Sequence, residues 1–301
     1  MWCGPQRLDD AAMKTKPEWN VEGRDWPNRV SSRFVDVAGM KWHVQVLGHG
    51  PPLLLIHGTG AATHSWAALA PMLAKRFTVV APDLPGHGFT ELPAGGQYGL
   101  PKMAHALAAL LTELNVEPEI VVGHSAGAAI AIQMSLDGVI SPKTILSLNG
   151  ALLPFPGLAA VAFPALAKLL FLNRFAAPFL AWRGSDPNAV VRLIKGTGST
   201  LDARGIDLYG RLFRTERHVA AAVGMMANWD LVALKRGLRK LATPLVLVAA
   251  DRDRAVPPHA AKDVQAIVPH SKVVRVKNYG HLAHEEAPAE FAKIIRRAVP
   301  C

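Results

Sequence analysis

Apolar positions along the chain change their rhythm at definite points. Phe34-Val35-Asp36-Val37 and Trp42-His43-Val44-Gln45-Val46 alternate, with Ala38-Gly39 between them. A period of two around a turn dipeptide predicts a β-hairpin. Beyond it the runs become continuously apolar: Leu53–Ile56, Phe77–Ala81, Ile120–Val122, Ile145–Leu148, Leu245–Ala249 and Val273–Val276. Strands covered on both faces of a parallel sheet read this way. Helical stretches are predicted over about His64–Ala74, Lys102–Leu114, Ser125–Asp137 and Glu285–Ala298. Strand alternating with helix predicts an α/β fold with a mostly parallel sheet.

Two stretches break the rhythm. Residues 1–30 are polar, punctuated by Pro and Gly, and carry three tryptophans, so they are predicted to be irregular. Between Gly150 and Leu241 no strand pattern occurs. That length exceeds a crossover and predicts a helical cap over one end of the sheet. Pro154, Pro156, Pro164 and Pro178 are expected to cut its helices short. The expected division is an irregular 1–30, a core made of 31–150 and 242–301, and a cap of 151–241.

Composition narrows the class. With 50% hydrophobic and 19% charged residues among 301, the chain is not disordered. Cys3 and Cys301 offer no disulfide framework and no CxxC pair. The first residues lack an apolar leader core, and no charge-free, proline-free apolar run reaches 18 residues. A cytoplasmic protein is expected, with peripheral contact to the inner membrane as an alternative. The net charge of +10 favours anionic partners or a basic solvated surface. The charges are scattered and no nucleic-acid motif accompanies them, so nucleic acid is not an expected partner. Of the 12 histidines, His57, His64, His87, His124, His281 and His284 fall near expected loop ends. No His-Glu-x-x-His pattern or acidic cluster joins them, so neither a metal nor a cofactor is expected.

The sharpest motif is Gly123-His124-Ser125-Ala126-Gly127, which follows an apolar strand and opens a helical stretch. That is the context of a nucleophile elbow, a tight turn that lifts a serine above the sheet beside free N–H groups. A serine hydroxyl needs a base, and the base an orienting acid. His281, in Asn278-Tyr279-Gly280-His281-Leu282 after the last strand, is the candidate base. Ala250-Asp251-Arg252-Asp253 follows the strand Leu245–Ala249. Asp253 is the preferred acid, and Asp251 is a supporting partner or a turn residue. Backbone N–H groups of Ala126 and Thr59 are the candidate oxyanion donors. Phe155, Phe163, Phe171, Phe175, Phe179, Trp182, Met225, Met226 and Trp229 in the cap are expected mostly to pack on the sheet, a minority lining a pocket for a bulky apolar substrate. Arg174, Arg183 or Arg192 are candidates to meet a substrate carboxylate.

These motifs carry a resemblance. His57-Gly58, Asp83-Leu84-Pro85-Gly86-His87-Gly88, Gly123–Gly127 and Gly280-His281 resemble the α/β-hydrolase superfamily in order and spacing along Ser32–Pro300. Further segments resemble one subfamily. They are Asp25–Arg29, Thr63-His64-Ser65-Trp66, Ser147–Phe155, Gly196–Thr200, Met225–Asp230 and Gly280–Glu286. That subfamily is the magnesium-chelatase accessory hydrolases of bacteriochlorophyll synthesis in phototrophic bacteria. The resemblance implies a role at or near magnesium insertion into a porphyrin. The candidate substrate contacts are Trp66, His124, Asn149, Met226 and Trp229. Two functions follow as expectations. One is a serine hydrolase cleaving an ester or related acyl bond of a tetrapyrrole-related substrate. The other is a non-catalytic porphyrin-binding protein that uses the same pocket or docks on the chelatase.

Overall fold

The computed structural model describes residues 15–92, 98–154 and 159–299. Cys3, Cys301, Phe155 and the side chain of Phe163 lie outside the described residues. The strands are β1 (Ser32–Val37), β2 (Met40–Leu47), β3 (Pro52–Ile56), β4 (Thr78–Pro82), β5 (Ile120–His124), β6 (Thr144–Leu148), β7 (Leu245–Ala250) and β8 (Lys272–Val276). Among the described residues they form one eight-stranded sheet in the order β1-β2-β4-β3-β5-β6-β7-β8. Strand β1 pairs antiparallel with β2 and β2 antiparallel with β4, whereas β4, β3, β5, β6, β7 and β8 run parallel to one another. This is the expected α/β-hydrolase architecture.

The helices are α1 (Leu69–Leu73), α2 (Leu100–Glu113), α3 (Ala126–Leu136), α4 (Ala159–Leu172), α5 (Ala176–Gly184), α6 (Pro187–Gly196), α7 (Ala203–Phe213), α8 (Glu216–Ala227), α9 (Leu231–Leu238), α10 (Ala260–Ile267), α11 (Ala283–Glu286) and α12 (Pro288–Ala298). Alternation along β3 sorts its side chains onto two cores. Leu54 and Ile56 meet Leu107 and Ile130 on one face, and Leu53 and Leu55 meet Leu73 and Phe291 on the other.

Three expectations need correction. The helix foreseen over His64–Ala74 is a 3-10 turn, Thr63–Trp66, followed by the separate α1. Pro71 has no N–H to give the Ala67 carbonyl, so it sits in the first turn of α1, where no such bond is needed, and the preceding turn is not joined to α1 at that carbonyl. Asn28 Nδ2 donates to that carbonyl instead, at 3.2 Å. The helix foreseen over Glu285–Ala298 divides into α11 and α12 at Ala287 (φ −136°, ψ 57°). Pro288 keeps the residue before it out of the helical region. Conversely, α4 runs through Pro164, which was expected to break it. Packing of α4 along α8 outweighs the lost ladder bond, a cost of about 3 kcal/mol. Helix α10 was not foreseen, since eight residues give too short an apolar stripe.

The six helices α4–α9 lie between β6 and β7, all helical as expected among the described residues. Aspartates start three of them. Asp186 accepts from Asn188 N, Asp202 from Gly205 N, and Asp230 from Val232 N and Ala233 N. Each cap satisfies donors that the first helical turn leaves free.

Candidate functional site

Ser125 stands between β5 and α3 with φ 51° and ψ −117°, a conformation that L side chains rarely adopt. The turn is held from several sides. Ser125 N donates to the Leu148 carbonyl (3.0 Å), and the Ser125 carbonyl accepts from Ala128 N and Ala151 N (both 3.1 Å). A Cβ at Gly127 would stand 2.2 Å from the Ile56 carbonyl oxygen, so only glycine lets α3 lie so close to β3. The half-buried Ser125 side chain thus projects from the C-terminal ends of the strands. It lies where the chain order reverses, since β4 and β5 flank β3 on opposite sides. Open parallel sheets bind ligands at such a point.

The loop after β3 closes over this serine. A Cβ built at Gly58 would be 3.0 Å from Ser125 Cβ and 3.0 Å from His124 Nδ1. Thr59, next in that loop, donates its hydroxyl to the Met225 sulfur at 3.4 Å. Ala126 is the first residue of α3, where N–H groups gather at the positive end of the helix dipole.

The loops after β7 and β8 meet beside it. His281 Nδ1 lies 2.8 Å from Asp253 Oδ2, with both side chains nearly buried. The other Asp253 oxygen accepts from Ala255 N and Val256 N, each at 2.8 Å. A carboxylate acceptor fixes the proton on His281 Nδ1 and leaves Nε2 with its lone pair. Asp251 is exposed and accepts from Asn278 N at 2.7 Å, stabilising the turn before His281 without touching the imidazole. The His281 main chain is gripped as well. Its carbonyl accepts from Asn149 Nδ2 (2.8 Å) and His124 Nε2 (3.0 Å), and its N–H donates to the Thr197 carbonyl (3.3 Å).

The structure redirects several foreseen substrate contacts. Asn149 has its amide nitrogen on the Gly280 and His281 carbonyls and its oxygen on Ala250 N (2.8 Å), so both ends are spent on positioning two loops. Trp66 is fully buried among Leu69, Leu73 and Phe291, with the His284 ring 4.7 Å away. It is a core residue, because the 3-10 turn directs it into the cluster formed with Leu53 and Leu55 of β3 and Val79 and Ala81 of β4. His124 packs against the His281 ring (4.7 Å) and supports its backbone. Met226 packs with Ala181 and Val223 in the cap, and Trp229 packs against the larger core cluster. Arg174, Arg183 and Arg192 are exposed, and Arg192 pairs with Asp186 (3.1 Å).

Other residues around the site escaped the sequence. His218 of α8 accepts from Gly88 N at 3.1 Å and reaches the Gly60 carbonyl at 3.0 Å. One ring thus ties the cap to both loops around Ser125, with the proton on Nε2. Burial holds it neutral, its pKa pulled down to about 4. Ser199 accepts from Leu282 N at 2.8 Å, just after His281. Beside these, Ser65 bonds His284 Nε2 (2.8 Å) and Glu285 Oε1 (2.7 Å), and Tyr209 donates to the same oxygen (2.7 Å). Burial raises Glu285 to about 7 and lowers His284 to about 3. This cluster borders a cavity of about 310 Å³ also lined by His64, Leu201 and Leu208. Further back, Asp83 accepts from Thr63 N (2.7 Å) and Phe89 N (2.9 Å) and pairs with His43 (2.7 Å). Burial alone would raise its carboxyl, but the His43 partner and the backbone donors hold it below the usual range. No group of three metal-ligating side chains occurs among the described residues.

Residues 51–288 match the family described as alpha/beta hydrolase fold. The magnesium-chelatase 30 kDa subunit of Rhodobacter capsulatus is 40% identical over 265 residues, covering 87% of this chain and 92% of that protein. Pyrrolizixenacetamide deacetylase of Xenorhabdus hominickii is 28% identical over 83% of this chain and 91% of its own length. Among solved structures, Cfl2 of Burkholderia cenocepacia superposes with a TM-score of 0.73 at 22% identity, covering 88% of this chain and 94% of that one. A family match that runs from the start of β3 to α12, on a sheet of this strand order, places the chain in the α/β-hydrolase family.

Proposed function

We propose that the protein is a serine hydrolase in which Ser125 is the nucleophile, His281 the base and Asp253 the orienting acid. The 2.8 Å pairing of Asp253 with His281, beside a serine held at positive φ, carries this reading. His281 Nε2 takes the Ser125 proton as Oγ attacks the acyl carbon. The carbonyl oxygen becomes an oxyanion held by the N–H groups of Thr59 and Ala126. The intermediate collapses and the leaving group departs with the proton from His281. Water repeats the sequence, donating its proton to Nε2, and hydrolysis of the acyl-enzyme restores Ser125. The name of the Rhodobacter capsulatus relative, a magnesium-chelatase subunit, supports a tetrapyrrole-related substrate and a place in or beside magnesium insertion. A fluorophosphonate probe tests the chemistry: an adduct on Ser125 that Ser125→Ala abolishes is expected, and a folded protein that takes no label refutes it.

A second reading rests on the same relative's name, which describes a chelatase subunit. Here the protein binds a porphyrin or the chelatase and Ser125 is dispensable. It is favoured if Ser125→Ala fully supports pigment synthesis in cells, and rejected if that variant fails while remaining folded.

A further inference from the structure

The outer face of the cap is apolar and lacks acids. Helices α4 and α5 both pack on α8 through Phe171, Leu180 and Ala181, which meet Val219 and Val223. Their opposite sides are uncovered: Leu169, Leu172 and Phe175 are 67%, 72% and 65% exposed, and Leu166, Phe179 and Trp182 are each more than half exposed. The leucines recur every three residues along α4. Phe179 and Trp182 stand one turn apart on α5, ring centroids 5.9 Å apart. Isolated exposed leucines are ordinary, but six large apolar side chains on two touching helices form a patch of the kind that marks an interaction surface.

Charge identifies the occupant. No Asp or Glu occurs between Asp137 and Asp186, whereas Lys168, Arg174 and Arg183 lie among the apolar residues and are exposed. The Arg174 guanidinium rests over the Phe175 ring at 4.8 Å. We propose that this face seats the cap on an anionic lipid surface, with leucine and aromatic side chains in the acyl boundary and the cations on headgroup phosphates. Helices with this division of side chains lie in a membrane interface. No helix among the described residues is long and apolar enough to cross a membrane, which suits a surface contact. A second copy of the chain fits less well. A two-fold contact through this face would bring Lys168 and Arg174 of both copies together, with no acid in α4 or α5 to pair with them.

Cosedimentation with phosphatidylcholine vesicles, with and without phosphatidylglycerol, tests the proposal. The protein should pellet with the anionic vesicles and about tenfold less with the neutral ones. The double variant Leu169→Glu/Leu172→Glu should lose that binding at least about tenfold while keeping its melting temperature, since both side chains are exposed. Equal binding by the variant, or none by the native protein, overturns the proposal. So does a native dimer that the variant converts to a monomer, because the face would then belong to a second copy.

Discussion

Asn149 donates to the carbonyl of His281 across 2.8 Å, joining the end of β6 to the loop after β8. The same side chain accepts from Ala250 N at the end of β7, and its own backbone sits at φ 47°. Asparagine tolerates that left-handed conformation better than alanine. Asn149→Ala should therefore cost about 2–4 kcal/mol, from one strained φ and stranded buried partners. Urea denaturation measures it; a loss below about 0.5 kcal/mol would show that water replaces the amide fully.

The two carboxylates after β7 should separate cleanly. On an ester that labels Ser125, Asp253→Asn should lower kcat by about 10⁴, the scale of losing the tautomer that leaves Nε2 basic. Asp251→Asn, which touches only the Asn278 N–H, should lower it by less than about tenfold. The reverse ranking would transfer the acid role to Asp251.

Glycine substitutions should divide by space. Gly127→Ala drives a Cβ into the Ile56 carbonyl and should destabilise by more than about 3 kcal/mol or abolish folding. Gly210→Ala, inside α7 with nothing within 4 Å, should stabilise by about 0.5–1 kcal/mol. Thermal melts of the two variants give the comparison directly.

Buried histidines predict acid lability. His64, His218 and His284 fall to about 3, 4 and 3 from 6.5 because burial disfavours their charged forms. Each keeps its full contribution above pH 6.5 and loses about 1.4 kcal/mol per unit as pH falls toward its folded value. Glu285 has the opposite sign. Raised from 4.5 to about 7, it favours folding below pH 4.5 and loses that as pH climbs through 7. Glu285→Gln keeps an acceptor for Ser65 and Tyr209, so native protein should weaken relative to this variant by up to about 3 kcal/mol between pH 5 and 8. Denaturant midpoints across that range check both signs.

The sheet was readable because strands covered on both faces must be apolar at nearly every position, and Leu53–Ile56 or Leu245–Ala249 permit little else. Ser125 and His281 were singled out from local turn chemistry, and both sit on turns that follow strands, after β5 and β8. What failed was direction. The aromatic at 66 looked like a wall of a pocket, but nothing in its neighbours says that the short turn tucks it under β3 and β4. His218 and Ser199 could not be singled out, since their partners lie 158 and 83 residues away in the chain and only the packed cap brings them near.

The carbonyl of Thr197, at the end of α6, accepts from both Arg254 N (3.1 Å) and His281 N (3.3 Å). One peptide group from the cap therefore latches the acid-bearing and base-bearing loops together. A swing of the cap that pulled this segment outward would unfasten both at once, so admission of a large ligand and alignment of the proton relay are mechanically linked.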